Sequence, residues 1–145
     1  MKKIIALRGK NNSGKSSTIR LLYDLLVAHG YKVVSSNLGH DGSDFRAVLK
    51  KRNALVGITS ASDTYDLVHD DLEVLIGSGC SVCVCSCRSF DRNEQGTNAA
   101  IESFKSYQKQ FFDKTVAPVA SKQSQFNKID SQALLNSIEA ELTKC

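Results

Sequence analysis

Gly9-Lys10-Asn11-Asn12-Ser13-Gly14-Lys15-Ser16 is the stretch that decides how this chain is read. Glycines at 9 and 14, followed directly by Lys15 and Ser16, form a pattern with a mechanism. Successive backbone N–H groups in such a loop turn inward and wrap an anion. Gly9 and Gly14 permit a close approach and backbone angles that side chains oppose. Lys15 is placed to reach the β- and γ-phosphates of a nucleotide, and the Ser16 hydroxyl to ligate Mg²⁺. A helix starting there aims its positive end at the same anion. Asn11, Asn12, Ser13 and Ser17 complete the residues expected around the phosphates.

The flanks agree with that reading. Lys3-Ile4-Ile5-Ala6-Leu7 is a short apolar run, as a buried parallel strand should be. Lys15 to His29 reads as a helix, with Ile19, Leu22 and Leu26 on one face, Leu21 and Leu25 beside them, and Gly30 as its C-terminal cap. From Lys3 to Gly30 the chain resembles the P-loop NTPase superfamily. The resemblance implies a three-layer fold of that type and a nucleoside triphosphate ligand, ATP with GTP as the alternative, together with Mg²⁺. The rest of the chain is read from its own residues.

At 145 residues the chain is long enough for a real core, and residues 1–145 are expected to form a single nucleotide-binding domain. Hydrophobic residues make up 41% and charged residues 23%, an ordinary globular balance. A net charge of +4 suits phosphorylated ligands, but no dense Lys/Arg run points to nucleic acid. No apolar stretch approaches the roughly 18 residues of a membrane span, and the N-terminus shows no cleavable leader pattern. These features point to a cytoplasmic protein with no membrane partner.

Further along, strands alternate with helices. Tyr31–Ser36 reads as a strand and Asn37–Asp44 as a turn-rich loop. A β-hairpin is expected at about 45–59, its basic turn Lys50-Lys51-Arg52-Asn53 guarding an edge. Ser62 or Asp63 would cap a helix to Ile76, with Tyr65, Val68, Leu72, Leu75 and Ile76 facing inward. A cysteine-rich strand, Ser81–Cys87, follows. Thr97 to about Asp113 is predicted as a helix, Thr115–Ala120 as a short strand near an edge, and Asp130 as the cap of a last helix. The alternation implies an α/β fold with a mostly parallel twisted sheet and helices on both faces. Ligand is then expected at the carboxyl ends of the strands.

Of the five cysteines, Cys83, Cys85 and Cys87 alternate along one strand face, roughly 7 Å apart. Thiolates sharing a zinc lie about 2.3 Å from it, so neighbours spaced this way do not converge on one ion. They are read as small buried hydrophobes rather than metal or redox groups. Cys145 is read as a free surface thiol.

The loops supply the remaining candidates. Asp63, shortly after the strand Ala54–Thr59, is the first choice for a Mg²⁺-holding carboxylate, with Asp41 and Asp44 as alternatives. Arg88 and Arg92 follow the cysteine-rich strand. Arginine is planar, always charged and bidentate toward phosphate, so these two would clamp a moving phosphoryl group. The loop Asn37–Asp44, with His40, would receive a second substrate. Asn127-Lys128-Ile129-Asp130 spells NKxD, the guanine-reading signature of GTPases. No glycine has Asp three residues before it, so the DxxG partner of that signature is missing. The preferred reading of these residues is a helix start beside the base. Together the residues favour a kinase-like phosphotransferase acting on a small acceptor. An NTP hydrolase or switch with a protein partner, or a binding module without catalysis, are the alternatives.

Overall fold

The computed structural model describes residues 2–10, 14–37, 45–61, 64–89, 96–116 and 119–143. Strand β1 is Lys3–Arg8 and helix α1 is Lys15–Ala28. Next come β2 (Lys32–Ser36), β3 (Arg46–Lys51), β4 (Ala54–Thr59), α2 (Tyr65–Gly77) and β5 (Val82–Cys87). The chain continues through α3 (Thr97–Glu102) and β6 (Gln108–Asp113), then a 3₁₀ turn, Ala120–Lys122, leading into α4 (Gln123–Leu142). The strands form one six-stranded mixed sheet in the order β2-β3-β4-β5-β1-β6. β4, β5, β1 and β6 run parallel, while β3 is antiparallel to both β2 and β4. The protein is thus α/β with a mostly parallel sheet.

Side-chain alternation explains the layers. All six residues of β5 are buried. Val82 and Val84 face Ile19, Leu22 and Leu26 of α1 and Leu134 and Ile138 of α4. Cys83, Cys85 and Cys87 face the other way, toward Val68, Leu72 and Leu75 of α2 and Ala100 and Ile101 of α3. A strand covered on both faces favours apolar side chains at nearly every position, and the polar residue of β5, Ser86, donates its hydroxyl to Ser60 O at 3.1 Å. Each fully buried Leu or Ile here contributes about 1.5–3 kcal/mol relative to exposure. Gly30, at φ +89°, ends α1 in the left-handed region, as a C-terminal cap should.

Five sequence expectations change. Thr97–Asp113 is not one helix: α3 stops at Glu102 and Gln108–Asp113 is an edge strand paired along all of β1. Phe111 and Phe112 are adjacent and face opposite layers, which a strand allows and a one-sided helix does not. The expected strand at Thr115–Ala120 is absent among the described residues. Thr115 donates its N–H to Asp130 instead of to a ladder, and Pro118 lies outside the description. Asp130 is not a helix cap, because α4 already starts at Gln123. The basic hairpin turn does not guard the sheet edge, since β2 covers β3 on its outer side. At α2 the cap is Thr64, whose hydroxyl accepts from Leu67 N–H at 3.2 Å. Ser62 and Asp63 lie outside the described residues. No described helix is long and apolar enough to cross a membrane.

Candidate functional site

β1 lies between β5 and β6, so its carboxyl end opens onto the middle of the parallel part of the sheet. Gly9 N–H donates to Cys87 O at 3.0 Å, and Lys114 N–H donates to Arg8 O at 2.7 Å. The strand is therefore held on both sides where it gives way to the Gly9–Ser16 loop. Asn11, Asn12 and Ser13 lie outside the described residues. At the far end of the loop Gly14 takes φ +91° and ψ +17°, and α1 begins with no side-chain cap. The first-turn N–H groups of a helix have no intrahelical partner, and here Ser16 and Ser17 stand exposed among them.

Lys15 is 5% exposed. Its ammonium donates to Gly9 O at 2.7 Å and Cys87 O at 2.9 Å. The charge is thus held at the positive end of α1, between β1 and β5. Thr18 anchors the first turn by donating its hydroxyl to Gly14 O at 2.7 Å.

The neighbouring strand ends are pinned by polar contacts. At the end of β4, Ser60 Oγ accepts from Phe45 N–H at 2.9 Å, and Ser60 O accepts from the Ser86 hydroxyl at 3.1 Å. Arg88, just past β5, is half-buried. Its N–H donates to Thr97 Oγ1 at 2.9 Å and its carbonyl accepts from Asn98 Nδ2 at 3.0 Å. Arg92 lies outside the described residues, as do His40, Asp41 and Asp44, so only Arg88 of the expected arginine pair is placed. Arg8 was not singled out from the sequence, although it directly precedes Gly9. Its Nε donates to Asn98 Oδ1 at 3.2 Å and its guanidinium sits 4.0 Å from the Phe111 ring centre.

The residues of the NKxD stretch are all in α4 and do different things. Asn127 is 6% exposed and packs on the loop: a methyl group built on Gly14 would lie 2.5 Å from Asn127 Oδ1. Asp130 turns to the segment after β6. Its Oδ2 accepts from Thr115 N–H at 2.9 Å and pairs with Lys114 Nζ at 2.8 Å, and its Oδ1 accepts from the Thr115 hydroxyl at 2.9 Å. Lys128 lines a cavity of about 400 Å³ beside the head of α1. Ser16, Ser17, Arg20, Phe45, Ser60 and Asn127 also line it, and its charged described residues, Arg20 and Lys128, are both cationic. The Arg20 guanidinium lies 5.7 Å from the Phe45 ring centre.

Among the described residues no cluster of three or more His, Cys, Asp or Glu is arranged to hold a metal ion. The described carboxylate near the end of β4, Asp71, is engaged with Arg46 at 2.6 Å and with the Thr59 hydroxyl at 2.6 Å. Cys83, Cys85 and Cys87 are buried at 0% exposure in the layer under α2 and α3, on the opposite sheet face from α1. A hydrogen bond with Cys80 and burial push the Cys83 thiol well above the usual range, and burial does the same to Cys85. These thiols behave as core side chains. No family model, curated protein or solved structure matches the chain.

Proposed function

We propose that this protein is a P-loop nucleotide-binding protein of the kinase-like kind, which takes ATP with Mg²⁺ on Gly9–Ser16 and transfers the γ-phosphoryl group to a small acceptor. The observation that carries this reading is the setting of Lys15. A buried ammonium that donates to Gly9 O and Cys87 O at the positive end of a helix is a site suited to an anion. Bound ATP supplies the phosphoryl group, and Mg²⁺ neutralises its developing charge.

The chain's own residues divide the remaining work. Lys15 turns its donors from Gly9 O and Cys87 O to the phosphate oxygens. The exposed Ser16 hydroxyl is the described group able to ligate Mg²⁺, with Asp63 the expected carboxylate. Arg88 stands at the end of the strand beside β1, where a guanidinium stabilises charge on the transferred group. The cavity lined by Arg20, Lys128 and Phe45 fits an acceptor that carries its own negative charge and a flat or apolar part.

The second reading, a hydrolase or switch acting on a partner protein, or a module that binds without turnover, draws support from the engagement of Asp71 away from the loop. A GTP-specific form is the weaker version, because Asp130 spends its oxygens on Lys114 and Thr115. Thermal unfolding with ATP or GTP, each with and without Mg²⁺, tests the core of the proposal. A ligand at about 100 times its dissociation constant adds about 2.7 kcal/mol, or roughly 5–10 °C here. The expected result is a rise with ATP and Mg²⁺ followed by phosphoryl transfer to an added acceptor. Hydrolysis stimulated by a partner supports the second reading, and no shift with any nucleotide overturns both.

A further inference from the structure

Both ends of the Gly9–Ser16 loop are tied to one helix. Asn127 and Asp130 are three residues apart on α4 and so share a face. At the loop's far end, Asn127 fills the space in front of Gly14. At its near end, Arg8 O accepts from Lys114 N–H at 2.7 Å, and the Lys114 side chain, with 0% exposure, pairs with Asp130 at 2.8 Å. Gln123, one turn before Asn127, closes the ring. Its Nε2 donates to Asn127 Oδ1 at 2.9 Å and to Thr115 O at 3.2 Å.

We propose that Asn127 and Asp130 are positioning residues: they fix the two ends of the loop to α4 and so set its grip on the polyphosphate chain, without reading the base. The inference rests on the nucleotide reading above. A base reader needs an open carboxylate, since guanine offers it two N–H donors. Asp130 is only 12% exposed and already takes Lys114 Nζ, Thr115 N–H and the Thr115 hydroxyl. A carboxylate has about four acceptor sites, which leaves too few for guanine. The two roles also differ in what they leave unchanged. A reader distinguishes bases, whereas a frame acts on the phosphate chain whatever base it carries.

The test is titration calorimetry of the full chain with ATP, GTP and inorganic tripolyphosphate, each with Mg²⁺. Wild type, Asn127→Ala and Asp130→Asn are compared at a temperature where circular dichroism shows all three folded. Each variant is expected to lose about tenfold in affinity for all three probes, with the ATP-to-GTP ratio unchanged. Should Asp130→Asn not fold, Gln123→Ala cuts the ring at a half-exposed position and is expected to bind all three about threefold more weakly. A loss confined to GTP overturns the inference and restores base reading. Wild-type binding with unchanged variant affinities overturns this inference alone. Failure of wild type to bind any of the three overturns the nucleotide reading and this inference with it.

Discussion

Lys15 Nζ donates to the carbonyl of Cys87, 2.9 Å away on the neighbouring strand. With its second bond to Gly9 O, it ties the start of the loop to the end of β5. Cys87 O also accepts from Gly9 N–H, so it keeps a partner when the lysine leaves. Under the proposed function the lysine would exchange carbonyls for phosphate without stranding that acceptor. Lys15→Met keeps the aliphatic stem and removes the donors. The empty variant is expected to lose about 1–2 kcal/mol, the cost of two hydrogen bonds from a charged group that waters partly replace. The stabilisation by ATP and Mg²⁺ should vanish. Urea unfolding with and without nucleotide reads both effects, and an unchanged ATP response would remove Lys15 from the phosphate site.

Gly14 and Asn127 give a second, ligand-free prediction. Gly14 sits at φ +91°, where a side chain costs about 1–2 kcal/mol in backbone strain. In addition its new methyl would press on Asn127 at 2.5 Å. Asn127→Ala removes the collision and leaves the strain. In a double-mutant cycle, Gly14→Ala is expected to cost about 1 kcal/mol less in the Asn127→Ala background than in wild type. Additive effects in urea unfolding would show that α4 does not hold the loop through this contact.

How far the sequence carries depends on whether a residue's partner is local. The order β1, loop, α1 follows from neighbours in the chain: apolar Ile4–Leu7, the glycines, then Ile19, Leu22 and Leu26 at helical spacing. The burial of Cys83, Cys85 and Cys87 also follows, because alternation on a strand is a local property. The misreadings come from distant partners. Ala100, Ile101, Phe104, Tyr107 and Phe111 sit at helical spacing, yet β1 has an open edge that only a strand can satisfy along its backbone. Periodicity alone does not separate the two states when aromatic residues serve both.

The same distinction holds at the candidate site. Asp130 resembles a cap in sequence because Asp often starts helices, but its partners are Lys114 and Thr115, which lie 16 and 15 residues earlier. The NKxD string marked residues close to the loop, but nothing in it signals the bonds of Asp130 to Lys114 and Thr115. Arg8 carries a legible signal, a cation directly before the first loop glycine. The cation pair Arg20 and Lys128 does not, since only the packing of α1 beside α4 brings them to one cavity.

Thiol reactivity tests the packing of the core cysteines. Cys80, Cys83, Cys85 and Cys87 are each no more than 1% exposed. In a Cys145→Ser variant at pH 8, all four are expected to react with an aromatic disulfide reagent only when the protein opens. Their rate should fall at least about 1,000-fold below that in concentrated guanidinium, following the population of the open state. Fast labelling of any one would mean that the layer under α2 and α3 is looser than its packing implies.

Tyr107 contributes to the alkaline limb of stability. Its hydroxyl donates to Cys80 O at 2.7 Å. Burial, and after it the charges that Cys83 and Cys80 would carry as thiolates, push its pKa from 10.0 up to about 12. The folded state therefore favours the neutral phenol more than the unfolded chain does. This contribution is complete below pH 10 and is lost as pH rises toward 12. Tyr107→Phe removes the hydrogen bond together with the titration. Wild type is expected to exceed the variant by about 1 kcal/mol at pH 8. The gap should narrow from about pH 10, cross zero at about pH 11 and stand reversed at about pH 12. Because both proteins share the raised Cys83 and Cys85 thiols, their common alkaline loss cancels in the difference. A gap that stays constant from pH 8 to pH 12 in urea unfolding would show that the Tyr107 hydroxyl is not buried against Cys80.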